Sequence, residues 1–380
     1  QEADISGQTD DRLGAIWGFE GEAGNFVLAL SQLNRSPMRG ADFNPSLAQL
    51  GISTLGTSFV MFAPTTVESG PYAGTYGPLQ TVPDPSCVEN KGILIPVPGG
   101  QRCGFVYGDR FNVVNDEDHS SVFASFTNEL ANGVTFNMNY TMTEIDVNDN
   151  PQSPSYPALS YTVPSRAILP GQAGNPFGIP VLWLGRPLGS AFPSPLATRE
   201  IENDRFALSL SGQYNNGFSW DFSVTQSSDS VYGRQPDTST SKFAAAIAGN
   251  GGPTGDQSWN LFNPTSNSQE LIDWISTAQQ TWGSTDLSVV DYVITGEAAG
   301  MDIAAGLQFR DEEFTILRGP ESIAQFNADG SIAVPADLLF LGGGLSSDAS
   351  RNAKAAFVEA SNQITDRLEL RGALRYEELA

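Results

Sequence analysis

Five times along this chain, two stretches in which apolar and polar residues alternate are joined by a very short turn. The clearest stretch is Val134 to Thr143, where Val134, Phe136, Met138, Tyr140 and Met142 fall on one face and Thr135, Asn137, Asn139, Thr141 and Thr143 on the other. A period of two places successive side chains on opposite sides of a strand. Its partner is Ser121 to Leu130, with Val122, Ala124, Phe126 and Leu130 on a common face. Only Ala131, Asn132 and Gly133 lie between, so the pair reads as a hairpin. The unit recurs at Phe206 to Tyr214 and Phe218 to Thr225 across "NNG", and at Val290 to Ile294 and Met301 to Arg310 across "AAG". It recurs again at Leu368 to Glu377 with an irregular partner near Arg351 to Ser361, and more weakly at Arg12 to Glu20 and Asn25 to Asn34 across "GEAG".

Between the pairs run four long connectors: Ser36 to Ser120, Ile145 to Asn203, Ser228 to Thr285 and Thr315 to Ser350. Strands of about ten residues, an apolar face carrying aromatics near its ends, a polar face, short turns at one end and long loops at the other together form the pattern of an outer-membrane barrel. The aromatics are Trp17, Phe19, Tyr140, Tyr214, Phe218, Tyr292, Phe309 and Tyr376. The predicted fold is thus all-β: an antiparallel up-and-down transmembrane barrel, of which about ten strands are visible. A large soluble all-β protein is the alternative.

Composition fits this class. No apolar run approaches the roughly 20 residues that a spanning helix needs, so any membrane crossing must use strands. Gly (39) and Pro (24) are abundant, as long loops require. The best helical candidate is Ser268 to Gln280, with Leu271, Ile272, Trp274 and Ile275 on one side. Acidic residues (43) far outnumber basic ones (19), giving a net charge of -24. Nucleic acid is excluded as a partner, because phosphate contacts need basic clusters.

Acid gathers in "NDEDH" (Asn115 to His119), "EIDVNDN" (Glu144 to Asn150) and "RDEEF" (Arg310 to Phe314), all placed by the pattern in connectors. A cation-attracting vestibule is one reading and solvated acidic loops the plainer one. "DVNDN" offers oxygens suited to calcium but lacks the glycine and distal Glu of an EF-hand loop. The single histidine, His119, cannot make a zinc site and has no triad partners, so it reads as a surface residue; no metal or cofactor is expected. Cys87 and Cys103 share the longest connector, and an isolated pair of this kind reads as a loop disulfide, with two free thiols as the alternative. Such a bond would contribute roughly 3 kcal/mol in the chain-entropy model. The chain opens with Gln1, which reads as a processed or excised piece.

Two C-terminal stretches, "GEAAGMDIAAGLQFRDEEFTI" (Gly296 to Ile316) and "FLGGGLSSDASRNAKAAFVEASNQITDRLELRGALRYEEL" (Phe340 to Leu379), resemble the barrel of TonB-dependent outer-membrane receptors. Upstream, "DPSC…RCGFVYGDRFNVVNDEDHSSVFASFTNEL", "GNPF" (Gly174 to Phe177), "NDRFALSLSG…FSWDFSV" and "LFNP" (Leu261 to Pro264) are similar to one subgroup's cysteine-bearing loop, next hairpin and loop. Nothing resembles the family's plug domain or TonB box, or its terminal aromatic-ended strand. Residues 1–380 therefore read as an internal part of one barrel domain of about 22 strands, with the remaining strands and the plug lying outside this chain.

The resemblance implies a location in the outer membrane of a Gram-negative bacterium. It also implies TonB-energised uptake of a scarce large ligand such as a ferric siderophore, an oligosaccharide or a peptide. The partners would be lipid, the ligand, and the TonB complex acting through a plug. No covalent chemistry is implied; Glu312 and Glu313, as strand neighbours, point to opposite faces and cannot act as a catalytic pair. The polar face, represented by Asn137, Asn139, Asp221, Gln308, Arg310, Arg371 and Arg375, would line the lumen and hold the plug, or simply hydrate the wall. Two rivals remain: a general porin of about 16 to 18 strands, and a secreted carbohydrate-binding or adhesin protein in which loop aromatics such as Tyr156, Tyr161 and Trp183 stack on sugars.

Overall fold

The computed structural model describes residues 7–46, 51–130 and 133–380. Every alternating stretch forms a strand, and all ten join one antiparallel sheet in chain order. The first three hairpins are β1 (Asp10–Gly21) with β2 (Gly24–Arg35), β3 (Asp116–Leu130) with β4 (Val134–Asp149), and β5 (Thr198–Gln213) with β6 (Ser219–Thr238). The last two are β7 (Ser276–Ala298) with β8 (Met301–Arg318), and β9 (Ser347–Thr365) with β10 (Leu368–Leu379). Of the expected turn residues, Ala131 and Asn132 lie outside the described residues. The β7–β8 turn shows why such short links suffice. Ala299 (φ 55°) and Gly300 (φ 75°) are both left-handed, as a two-residue turn matching the strand twist requires.

The register carries the alternation across the sheet, with shifts among the described residues only near strand ends, between Asp116 and Glu117 on β3 and between Gln363 and Thr365 on β9. Phe19, Phe26, Phe126, Met138, Leu208, Val224, Val290 and Phe309 form one lateral row on the apolar face. A one-residue slip in any pair would turn that strand inside out. Among the described residues β1 and β10 each pair on one side only.

The strands run further than the alternation indicated. Clear alternation covers about ten residues per strand, whereas β6 has 20 and β7 has 23. The acidic groups expected in connectors therefore lie mostly on strands: Asp116–His119 on β3, Glu144–Asp149 on β4 and Arg310–Phe314 on β8. His119 also sits on β3, half-buried, with its Nε2 at 3.0 Å from Glu117 Oε2. The expected helix is shorter than Ser268 to Gln280. It spans Gln269–Ile275, capped by the Ser268 side chain accepting from Leu271 N–H, and yields at Ser276 because that residue pairs with Thr238 on β6.

The connectors also differ from irregular loops. Those of 36–115, 150–197, 239–275 and 319–346 all leave from the same end of the sheet and fold together into a cap. Short strands Thr57–Met61, Thr81–Pro83, Gly100–Val106 and Ile93–Val97 of the first connector join Val181–Gly185 of the second in one small sheet. Its core holds Phe59, Tyr161, Phe177, Trp183, Phe243, Trp259, Leu261, Leu271 and Ile275, drawn from three connectors, with Leu339 from the fourth. Each such side chain contributes about 1.5–3 kcal/mol by leaving water. Among the described residues the apolar face of the ten strands packs against no other element, so these strands bury little, and the buried core sits in the cap.

Candidate ligand cleft and inner wall

The sheet face opposite the aromatic row carries all seven residues singled out from the sequence. Asn137 lies in one lateral row with Ser209, Ser223, Asp291 and Gln308, and Asn139 in the next with Ala207, Thr225, Val289 and Arg310. Asp221 pairs with Ser211 and Val293 on the same face, and Arg371 and Arg375 follow on β10. Gln308 joins two strands: its Nε2 donates to Asp291 Oδ1 at 2.9 Å and its Oε1 accepts from Arg375 Nη2 at 3.2 Å. Arg310 lies 2.8 Å from Glu312 and 3.6 Å from Glu377, Arg375 3.1 Å from Glu377, and Arg371 2.9 Å from Glu359. Arg351 completes the ladder through Glu312. Each half-exposed pair is worth about 0.2–1 kcal/mol alone. Because acid and base alternate, a surface seated here meets hydrogen-bonding positions of both signs rather than a field of one sign. Asn137 accepts from Thr127 Oγ1 at 2.6 Å, whereas Asn139 and Asp221 make no side-chain hydrogen bond among the described residues.

Cys87 and Cys103 are joined in a disulfide within the cap. Gly92 sits directly on the bond: a Cβ there would come within 2.8 Å of Cys87 Sγ and 2.9 Å of Cys103 Sγ, so only glycine fits. Beside the disulfide opens a cleft of two adjoining hollows, about 280 Å³ and 790 Å³, which share Glu89, Asn90, Ser190 and Ala191. Acidic side chains Asp84, Glu89, Asp109 and Asp149 and basic side chains Arg39, Lys91 and Arg110 line it. Burial pushes the Asp84 carboxyl up, partly countered by the Ser86 N–H.

Arg110 holds a wall of the cleft and Arg186 the cap beside it. Arg110 donates to the carbonyls of Ser190 (2.6 Å) and Phe192 (3.0 Å). Arg186 is buried at 4% exposure and has no carboxylate partner among the described residues. It donates to Leu55 O at 2.8 Å and Ser155 O at 2.7 Å, and lies 4.1 Å from the centre of the Phe105 ring. Burial pulls its guanidinium down to about 10, so it stays charged at neutral pH. No alternation or motif marks Arg186 in the sequence; its role appears only when Leu55 and Ser155 meet in space.

Asp237 and Asp337 tie the fourth connector to the rest. Asp237 accepts from Thr238, Phe340 and Leu341 N–H at 2.7, 3.1 and 2.7 Å. Asp337 accepts from Ser239 Oγ and from Ser241 N–H and Oγ, at the start of the helix Thr240–Ile247. The aromatics considered as sugar platforms are already occupied. Trp183 is 0% and Tyr161 5% exposed in the core, and Tyr156 stacks on Phe340 at 4.8 Å.

A family model described as TonB dependent receptor-like, beta-barrel, matches residues 140–379. The chain belongs to this family, a family of outer-membrane transport receptors, and the porin alternative gives way to it. Solved structures of similar shape include FpvA of P. aeruginosa bound to a heterologous pyoverdine and iron (9% identity, TM-score 0.47, 98% of this chain and 36% of that one). They also include the siderophore receptor PiuA of Acinetobacter baumannii (8%, 0.42, 97% and 40%) and the outer membrane transporter YddB of Escherichia coli (10%, 0.43, 98% and 34%). The chain thus spans between 34% and 40% of the length of these three. No curated protein matches it.

Proposed function

We propose that this chain is part of the wall and the extracellular cap of a TonB-energised import receptor in the outer membrane of a Gram-negative bacterium. Within the whole protein, further strands close the sheet beyond β1 and β10, because unpaired backbone amides find no partner in hydrocarbon. A plug seats against the inner wall at Asn137, Asn139, Asp221, Gln308, Arg310, Arg371 and Arg375, and the TonB complex acts through that plug. The cap cleft takes the ligand from outside, a scarce molecule of the size of a ferric siderophore, an oligosaccharide or a peptide. The wall itself performs no covalent chemistry.

The observation that carries this reading is the division of labour in one meander. One of its faces is apolar and the other polar, and every long connector is gathered at one end into a folded, cleft-bearing cap. The test is uptake by the full-length protein in cells lacking their own receptors, with and without TonB. Candidate ligands should accumulate only with TonB; accumulation that ignores TonB would overturn the proposal.

A further inference from the structure

The two hollows of the cap cleft differ in charge. The smaller, beside the disulfide, is lined by Asp84 and Glu89 with no lysine or arginine, and the larger by Arg39, Lys91 and Arg110 together with Glu89, Asp109 and Asp149. None of these seven side chains takes part in an ion pair among the described residues, whereas the inner wall matches Arg310, Arg351, Arg371 and Arg375 to glutamates. Asp84 is half-buried, and the Ser86 N–H at 3.0 Å is its carboxylate's one hydrogen-bond partner among the described residues.

Unmatched charge inside a cleft selects what enters it. A neutral sugar would strip water from these groups and return no opposite charge. A polyanion would meet Asp84 and Glu89 in the smaller hollow, and a polycation the three basic side chains of the larger. A molecule with one charge of each sign, set apart along its length, satisfies both hollows. Between them, Asn90 and Ser190 line both cavities, and each can donate and accept, which suits the amide groups of a chain joining two charged ends. One turn places the opposite charges on either side of that boundary. Asn90 N–H bonds Ser86 O at 2.9 Å, Lys91 N–H bonds Val88 O at 3.0 Å and Gly92 N–H bonds Cys87 O at 2.7 Å, so Glu89, Asn90 and Lys91 are held together next to the disulfide.

On the reading that this cleft receives the imported ligand, we propose that it takes a short peptide with free termini. The α-ammonium enters the smaller hollow against Asp84 and Glu89, and the α-carboxylate lies in the larger one against Lys91 and Arg110. Asp84 gains most from the ammonium, because burial has already made its negative charge costly. Arg110, held by the carbonyls of Ser190 and Phe192, offers a cation already fixed in place.

The full-length receptor in detergent is titrated calorimetrically with tetraalanine, N-acetyl-tetraalanine, tetraalanine amide and maltotetraose. Tetraalanine should bind, blocking either terminus should weaken it about tenfold, and maltotetraose should give no binding heat. Asp84→Asn keeps an acceptor for the Ser86 N–H; it should weaken tetraalanine about tenfold and leave the N-acetyl form unchanged. Lys91→Gln should likewise weaken tetraalanine and leave its amide unchanged. Matching one variant to one terminus separates contact with the ligand from damage to the cap. No binding of tetraalanine, free and blocked peptides bound alike, maltotetraose bound as tightly, or a variant that weakens both forms equally overturns the peptide as the occupant. Uptake in cells keeps this apart from the transport reading: TonB-dependent import of maltotetraose with none of tetraalanine sinks the peptide alone, and accumulation that ignores TonB sinks the receptor reading itself.

Discussion

Arg186→Ala should loosen the cap while leaving the sheet intact. Among the described residues the guanidinium is the only side-chain or backbone donor to Leu55 O, which is half-buried, and to Ser155 O, which is buried, and truncation leaves these carbonyls unpaired at a cost of about 1–3 kcal/mol each. The lost contact with the Phe105 ring adds about 2 kcal/mol. Against this, the several kcal/mol spent keeping a cation out of water disappear. The balance is a loss of about 3 kcal/mol, confined to the junction of the first two connectors. Hydrogen exchange on the full-length receptor reads it residue by residue. The amides of Arg186, bonded to Gly56 O, and of Leu188, bonded to Ser155 Oγ, should exchange about a hundredfold faster, with β4 and β5 unchanged. Arg186→Lys keeps the charge but cannot span both carbonyls, so it should fall between. Unchanged exchange at Arg186 and Leu188, or equal deprotection of β4, would refute the idea that the buried guanidinium pins the cap.

Other outcomes follow from single residues. Met138→Arg puts a charge on the apolar face and should cost about 2–4 kcal/mol of barrel stability, measured by heat-modifiable migration, while Asn139→Arg on the opposite face should cost far less; equal losses would contradict the face assignment. Asp337 sets a pH limit. Burial alone would raise its carboxyl, but hydrogen bonds from Ser239 and Ser241, with Lys242 nearby, outweigh that and hold it below its ordinary value. Its contribution is therefore full above the ordinary carboxylate range and is lost as pH falls through the lowered value, so protease susceptibility of 319–346 should rise below about pH 4. In Asp337→Asn that rise should be absent, and a persistent one would point elsewhere. Cys87 and Cys103 should resist alkylation until reductant is added.

Strand existence, pairing and facing were legible because an alternating pattern, repeated ten times, has only one register that keeps every apolar row together. Strand ends were not, since the upper parts of β6 and β7, such as Ser227 to Ser230 and Ser284 to Ser288, carry polar residues on both faces once lipid no longer sorts them. The cap was hidden for a related reason. Its core is assembled from separate short runs: "TSFVMF" at 57–62 and "VLWLG" at 181–185 are too short to show a period, and "LIDWI" at 271–275, legible as a helix face, gave no sign of what covers it. The helix Thr240–Ile247 carried a signal that could have been read: Ser239 as N-cap, with Phe243, Ala246 and Ile247 on one face. Arg110 at the cleft and Arg186 beside it had none, because both act on backbone carbonyls that any sequence supplies.

The central claim is that one face of this meander meets lipid and the other a wet lumen. A nitroxide scan of residues 134–142 in the full-length receptor reconstituted in bilayers tests it most directly. Accessibility to oxygen, which concentrates in hydrocarbon, should peak at 136, 138 and 140 and fall at 135, 137 and 139, with a water-soluble nickel chelate giving no peaks at the even positions. Oxygen accessibility that is uniform along the strand, or highest at 137 and 139, would contradict the account.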